Sequence, residues 1–313
     1  MSLETQIEQA ARLIAEAEHV VGITGAGHST PSGIPDFRSP ESGLWARYDP
    51  MTVASIFGFR QHPEGFFEWV RPLVRTLLTA EPNSAHKALA DLEAIGCMKA
   101  VITQNIDGLH QRAGSRHVLE LHGHIREATC IRCYQIEPSA PFLSDFVEKG
   151  KIPRCSSCGG ILKPNVILFG EQLPVSVLNA AWRQVRTCDL VLVAGSSLQV
   201  APACDLPMTA VMHGAKAVVV NFQPTYLDAR AHVVIRDDVA LVLPQVAALC
   251  RQYVASTLEQ NVCNDAGDSG HPKGDSIDDR EAFHWRHSDR TGKPGRAPGT
   301  DAKRTDRPSG TDH

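Results

Sequence analysis

Seven short runs of β-branched and apolar residues, all but one closing on a glycine or a polar side chain, govern what this chain can fold into. They are HVVGIT (19–24), AVITQN (100–105), VLELH (118–122), NVILF (165–169), DLVLVAG (189–195), KAVVVN (216–221) and HVVIR (232–236). Several are apolar at every position instead of every second one, which is how strands covered on both faces read. Helical patterns separate them, over roughly 4–17, 62–79, 84–95, 175–187, 203–213 and 239–257, with Asn83 and Ser84 as N-cap candidates for the third. Strands alternating with helices specify an α/β fold built on a parallel sheet. A chain of 313 residues, 42% of them hydrophobic, supplies the core that such a sheet needs.

Two stretches break the alternation. Residues 37–82 are rich in proline and aromatic residues and open without a strand, which reads as a small helical module. Residues 123–163 hold paired cysteines and little else that is apolar. Both read as insertions. The expected organisation is therefore one α/β domain from 1–36, 83–122 and 164–257, and a small domain from 37–82 and 123–163. After residue 260 the only large apolar side chains are Val262, Ile277, Phe283 and Trp285. Such a stretch cannot bury enough surface to offset its ordering entropy, so 260–313 is expected to be a disordered tail.

A formal charge of −4 speaks against a general nucleic-acid binder, which carries a basic excess. No run of 18 or more apolar residues is present, so no membrane partner is expected. The opening MSLETQIEQAARLIAEAEHV is acidic and amphipathic and reads as a helix, not as a secretion signal. A cytoplasmic location is the expectation. In that reducing setting the nine cysteines stay free unless they hold metal. Cys130-x-x-Cys133 and Cys155-x-x-Cys158, with 21 residues between the pairs, fit a four-cysteine zinc ribbon. Its thiolates fill every tetrahedral position of one structural Zn2+. Cys97, Cys188, Cys204, Cys250 and Cys263 are scattered and read as small buried hydrophobes.

The strand ends carry the remaining signals. The first run enters Gly25-Ala26-Gly27-His28-Ser29-Thr30, which lacks the third glycine of the hydride-carrying dinucleotide fingerprint. Pro31, Gly33 and Pro35 forbid a long helix directly after it, and no second strand ends in an acid about 20 residues on. Dehydrogenase use is disfavoured, while a phosphate site on Gly25 and Gly27 and an ordinary strand–loop turn both stay open. The second cluster, Thr103-Gln104-Asn105-Ile106-Asp107-Gly108-Leu109-His110, is either a ligand contact at the carboxyl end of a parallel strand or an Asx-turn. His122 closes the third run, as a general base or as a structural histidine. Gly195-Ser196-Ser197-Leu198-Gln199-Val200 and Asn221 close two more. Together these ends point to one extended site along the carboxyl edge of the sheet.

Taken together, GAGHSTPSGIPDFR (25–38), TQNIDGLH (103–110), His122-Gly123, the two cysteine knuckles, PNVILFGE (164–171), GSSLQV (195–200) and NFQPT (221–225) resemble the sirtuin family of NAD-dependent protein-lysine deacylases. The segments stand in the family's order and span roughly residues 5–255. The resemblance implies a Rossmann-like parallel sheet covered by helices, with a small zinc-ribbon and helical domain made from the two insertions. It also implies that NAD is a co-substrate to be cleaved, not a hydride carrier. Carried over by position, Gly25, Ala26, Gly27, Thr30, Phe37 and Arg38 line the NAD loop. Gln104, Asn105, Ile106 and Asp107 hold the nicotinamide end and its ribose, and Ser196, Ser197, Asn221 and Val239 the phosphates and adenosine. His122 and Asn105 are the implied catalytic residues. The implied partner is an acetylated protein, whose acyl-lysine peptide adds as a strand along Ile167, Leu168, Phe169, Gly170 and Glu171.

The implied chemistry follows from charge. Nicotinamide leaves a cationic glycosidic linkage as a neutral base, and the amide oxygen of the acyl-lysine captures the electrophilic C1′ when held in line. His122 accepts a proton from the ribose hydroxyls, and lysine and 2′-O-acyl-ADP-ribose result once water has entered. Phe37 shields the reactive carbon from early hydrolysis. Sirtuins that prefer succinyl or malonyl lysine place a Tyr and an Arg three residues apart in the helical insertion. Val70 and Leu73 fall at those positions here, which suits acetyl or longer uncharged chains. His28 departs from the hydrophobic residue that family members often carry there. Two other readings use the same motifs. One is mono-ADP-ribosyl transfer from the same NAD site. The other is a non-catalytic zinc-ribbon binding module, which leaves His122 and TQNIDG unexplained.

Overall fold

The computed structural model describes residues 1–37 and 43–267. The chain begins with α1 (Leu3–Glu16), β1 (Val20–Thr24), α2 (Pro50–Val53), α3 (Ile56–Gln61), α4 (Pro63–Thr79), α5 (Ser84–Ala94), β2 (Met98–Thr103), α6 (Leu109–Ala113) and β3 (Val118–Glu120). It continues through β4 (Gly123–Cys130), β5 (Ile136–Pro138), α7 (Ala140–Lys149), β6 (Leu162–Val166) and α8 (Val175–Thr187). It closes with β7 (Leu190–Ala194), α9 (Asp205–Met212), β8 (Lys216–Val220), β9 (Val233–Ile235) and α10 (Val239–Gly267).

Six strands form a parallel sheet in the order β3-β2-β1-β7-β8-β9. Numbered within that sheet alone, this is the 3-2-1-4-5-6 order of the doubly wound dinucleotide folds. The order reverses between β1 and β7, the point at which such sheets bind ligands. Every residue of β1 and β7 is buried, as their unbroken apolar runs require. Alternate side chains enter opposite faces. Val20 meets Ile14 of α1, Leu89 of α5 and Val242 and Val246 of α10. Val21 and Ile23 meet Ala181 and Val185 of α8 and Leu206 of α9. Of the two N-cap candidates for α5, Asn83 takes the role: its Oδ1 accepts the amides of Ala85 and His86.

Val239–Thr257 of α10 is long and apolar enough to cross a membrane by length and composition. Its Val242, Leu243, Val246 and Ala247 pack into the sheet's core, and Cys250 donates to the Ala11 carbonyl of α1. The helix continues past its expected end near residue 257 as far as Gly267. Neither glycine nor proline occurs between Thr257 and Gly267 to stop it. The first eight residues of the expected tail are thus helical, and the rest of it lies outside the described residues.

The run at 165–169 does not join the main sheet. Strand β6 is Leu162–Val166, and it belongs to a separate antiparallel sheet, β5-β4-β6. An apolar run announces a buried strand without saying which sheet holds it. Strand β4 gives no signal in the sequence because GHIREATC has too few apolar residues to show a period. The two insertions share one core: Phe59, Phe66, Phe67, Val70 and Leu73 from α3 and α4 pack with Phe146 and Val147 of α7. Arg71 Nε and Nη2 donate to the carbonyls of Val147 and Glu148, and Arg75 Nη2 to Val147, at 2.8–2.9 Å. These guanidiniums satisfy carbonyls that the last turn of α7 would otherwise leave open.

Candidate functional site

The loops that follow β1 and β7 touch at the switch point. The first turns tightly, with the His28 amide donating to the Gly25 carbonyl and the Ser29 amide to that of Ala26. A Cβ placed on Gly195 (φ +64) would lie 2.2 Å from the His28 nitrogen, and one on Gly27 would lie 3.0 Å from the Gly195 carbonyl oxygen. One on Gly25 would lie 3.0 Å from the Ser196 hydroxyl oxygen. These glycines therefore let two strand-end loops meet, a requirement that a single-loop fingerprint does not reveal. Leu198, buried in the second loop, holds a left-handed φ of 53°, a strained conformation that tends to gather at ligand sites.

Side chains that follow β2 and β3 tie these loops together. Asn105 Nδ2 donates to the Gly25 carbonyl (2.9 Å) and to Ser29 Oγ (3.0 Å). Ser29 Oγ donates to Asp107 Oδ2 at 2.7 Å, while Asp107 Oδ1 accepts the Leu109 amide. Asp107 thus forms an Asx-turn, while Asn105 reaches across to the loop after β1. Burial raises the Asp107 carboxyl above its ordinary pKa, against hydrogen bonds from Leu109 and Ser29 that lower it. Gln104 Nε2 donates to Ser196 Oγ at 3.1 Å. His122 Nδ1 lies 3.1 Å from the Gln104 carbonyl oxygen. A carbonyl only accepts, so the ring's proton sits on Nδ1 and Nε2 is its basic nitrogen. The His122 carbonyl in turn accepts the Ile167 amide at 2.9 Å.

The other expected residues lie as follows. Ala26, Thr30, Ile106 and Ser197 are half-buried at the strand ends, and Thr30 Oγ1 donates to the Gly27 carbonyl. Asn221 is 8% exposed, with Nδ2 donating to the Gln223 carbonyl. Val239 opens α10 and is buried in the core that α1, α5 and α10 share with the sheet. The Phe37 ring stands 5.1 Å from Trp45, which stacks on Trp69 at 5.7 Å and faces Phe169 at 6.1 Å. Arg38 lies outside the described residues. The amides of Ile167, Leu168 and Phe169 donate to the His122 carbonyl, Glu171 Oε2 and the Ala54 carbonyl, and Gly170 is exposed. Lys163 Nζ pairs with Glu171 Oε2 at 2.9 Å and steadies this segment. A cavity of about 660 Å³ beside it is lined by Glu120, Arg126, Asn165, Val166 and Ile167. Sequence reasoning missed Ser29, the hub between Asn105 and Asp107, and the indoles of Trp45 and Trp69. Serine and tryptophan at isolated positions carry no spacing signal.

The four cysteines converge as a metal centre. Their sulfurs lie within 4.8 Å of one another, with Cys130–Cys158 at 3.5 Å and Cys133–Cys155 at 3.6 Å. Four thiolates about 2.3 Å from one Zn2+ would stand roughly 3.8 Å apart, so the donor set and spacing fit. The amides of Cys133 and then Arg132 lower the Cys130 thiol to about 6, while burial and the neighbouring thiols and Glu137 raise those of Cys155 and Cys158, so the fit rests on donor set and spacing. A Cβ on Gly160 would lie 2.8 Å from Cys130 Sγ, so glycine is required beside the cluster.

Comparison with known proteins agrees with this architecture. The Sir2 family matches residues 25–202. An NAD-dependent protein deacylase 2 of Archaeoglobus fulgidus is 49% identical over 78% of this chain and 96% of its own length. An NAD-dependent protein deacetylase 1 of Geobacillus kaustophilus is 47% identical over 71% of this chain and 89% of its own. A solved Sir2 enzyme bound to a myristoylated histone peptide superposes with a TM-score of 0.70 at 41% identity, covering 81% of this chain and 99% of that one.

Proposed function

The chain belongs to the Sir2 family, and from that premise we propose that it removes acetyl and other uncharged acyl groups from protein lysines, consuming NAD. One observation supports this above the others. A network anchored on the adjacent residues Gln104 and Asn105 runs from Asn105 to the Gly25 carbonyl and from Gln104 to Ser196 and the His122 ring, while the His122 carbonyl holds the Ile167 amide. It links the loops suited to a dinucleotide, a basic nitrogen and the segment suited to a peptide. The loops fit NAD because Gly25, Gly27 and Gly195 keep side chains away from the switch point, with the Ser196 and Ser197 hydroxyls at its edge.

NAD supplies a nicotinamide–ribose bond whose cleavage makes C1′ electrophilic toward an acyl oxygen. The chain's own residues do the rest. Asn105 and Asp107 hold the glycine loop against β2 and set the ribose face. His122 keeps its proton on Nδ1, bound to Gln104, and accepts one at Nε2 from a ribose hydroxyl. Phe37, Trp45 and Phe169 exclude water from the acyl channel. Ile167, Leu168 and Phe169 have their amides engaged within the chain, so pairing with a peptide falls to the Ile167 carbonyl and the Gly170 peptide unit. Val70 and Leu73 are buried in the apolar core of the helical insertion, which suits an uncharged acyl group.

The test is a mass-spectrometric assay of an acetyl-lysine peptide, with and without NAD, beside His122→Ala. The proposal expects NAD-dependent deacetylated peptide, nicotinamide and O-acetyl-ADP-ribose, all lost in the variant. Nicotinamide release with the acetyl group intact and ADP-ribose on protein would instead establish a transferase. No turnover by folded, zinc-loaded protein would leave a binding module.

A further inference from the structure

Three histidines that the proposed reaction does not use meet beside the glycine loop: His28 within it, His86 on α5 and His110 on α6. All three are buried, at 0%, 0% and 1% exposure. Their ring centroids stand 4.7 Å (His28–His86), 4.8 Å (His86–His110) and 5.0 Å (His28–His110) apart. One nitrogen from each ring lies within 4.8 Å of the other two.

The surrounding hydrogen bonds decide which nitrogens bear protons. Thr24 Oγ1 donates to Thr103 Oγ1 at 2.8 Å, so its 2.9 Å contact with His110 Nε2 must be donated by the ring. The Ser29 hydroxyl proton goes to Asp107, so the 3.4 Å contact between Ser29 Oγ and His86 Nε2 is likewise donated by the ring. Both rings are therefore Nε2–H tautomers with lone pairs on Nδ1. Those two Nδ1 atoms, and both nitrogens of His28, have no hydrogen-bond partner among the described residues. Burial holds all three rings neutral, His86 at about 4 and His110 at about 3, with His28 also lowered. A neutral His28 offers one N–H at most. Each of the three packed rings thus carries a bare lone pair, where buried polar atoms are ordinarily paired.

We propose that His28, His86 and His110 form a second metal site, for one divalent transition ion of the zinc class. Three neutral imidazoles are a donor set that such ions favour. At about 2.0–2.1 Å from each nitrogen, tetrahedral ligands stand roughly 3.4 Å apart, so the widest permitted separation here closes by little more than an ångström. The outer partners suit the role. Thr24 accepts from His110, and Ser29 accepts from His86 while donating to the Asp107 carboxylate, which places negative charge one hydrogen bond beyond the ligands. Asn83 Nδ2 donates to the His28 carbonyl and fixes its backbone. The site depends on His28, the position at which this chain departs from the hydrophobic residue common in the family.

The test counts metal. The full-length protein is saturated with Zn2+, desalted and analysed by inductively coupled plasma mass spectrometry beside His28→Ile and His110→Leu, with folding checked by circular dichroism. The proposal expects two zinc ions per chain in the wild type and one in each folded variant, the ion of the four-cysteine ribbon remaining. In Co2+-loaded protein, the wild-type minus His28→Ile spectrum should show ligand-field absorption without thiolate charge transfer. If the variants fail to fold, a thiolate-free Co2+ band in the wild type, perturbed by protonation before the thiolate band, supports the site. One zinc per chain in the wild type, two in both wild type and variants, or no thiolate-free band overturns it.

Discussion

Replacing Gly195 by alanine tests how the switch point is built. The new Cβ would lie 2.2 Å from the His28 nitrogen and 2.5 Å from the Gly27 carbonyl carbon, both backbone atoms. Ordinary contact begins at about 3.4 Å, so the loops after β1 and β7 must part by roughly 1 Å, a displacement able to cost about 100-fold in rate when it misplaces reacting groups. The left-handed φ adds a strain of roughly 1–2 kcal/mol. Gly214 supplies the control. Its φ is +97°, yet an added Cβ there meets nothing within 4 Å. Gly214→Ala therefore carries the strain without the collision. Steady-state kinetics with an acetyl-lysine peptide should show kcat/KM for NAD falling about 100-fold in Gly195→Ala and staying within twofold in Gly214→Ala. Urea denaturation should show both variants folded, with Gly195→Ala the less stable. Equal NAD kinetics in the two would refute the claim that contact between these loops shapes the site.

Other outcomes follow from the same structure. Cys130→Ser should release the ribbon's zinc and abolish amide protection in β4–β6 while the α1–α5–α10 core stays protected, as hydrogen exchange will report. Arg71→Ala removes two guanidinium bonds to the end of α7, and denaturant titration should register a loss of roughly 1–3 kcal/mol. Acid should destabilise the fold. His86 and His110 are held neutral in the native state, to about 4 and about 3, whereas the unfolded chain binds a proton at each near 6.5. Stability is complete above that value and declines as pH falls toward the native ones. Between pH 7.5 and 5.5 each ring contributes a loss of about 1.4 kcal/mol. An ion bound there leaves the direction unchanged, because protons and metal compete for the same lone pairs. Stability that is flat across this range, or that rises on acidification, would contradict the buried neutral rings.

Much of the architecture was legible in the residues. Runs such as DLVLVAG and KAVVVN are apolar throughout because both faces of β7 and β8 are covered, and that pattern has few alternatives. The cysteine pairs were equally plain, since metal geometry fixes ligand spacing. Strand β6 was misplaced because an apolar pentamer looks alike in either sheet. The site was legible as a set of strand ends but not as a network. That Asn105 reaches Gly25, 80 residues away, or that His28 would face His86 and His110, depends on tertiary placement. No local period encodes it. Gly195 shows the same limit: its partner is another loop, so the need for glycine emerges only once both loops are in place.

The central claim is that an acyl oxygen, positioned by the groove and the nicotinamide end of the site, captures the ribose carbon before water does. The most direct measurement uses a peptide whose acetyl-lysine carbonyl carries oxygen-18, incubated with NAD and the protein in ordinary water and followed by mass spectrometry of the products. Capture by the acyl oxygen puts the label on the ribose of O-acetyl-ADP-ribose, at C1′, with the acetyl carbonyl oxygen now drawn from water. Label retained in the acetyl group or in free acetate, with an unlabelled ribose, would contradict it.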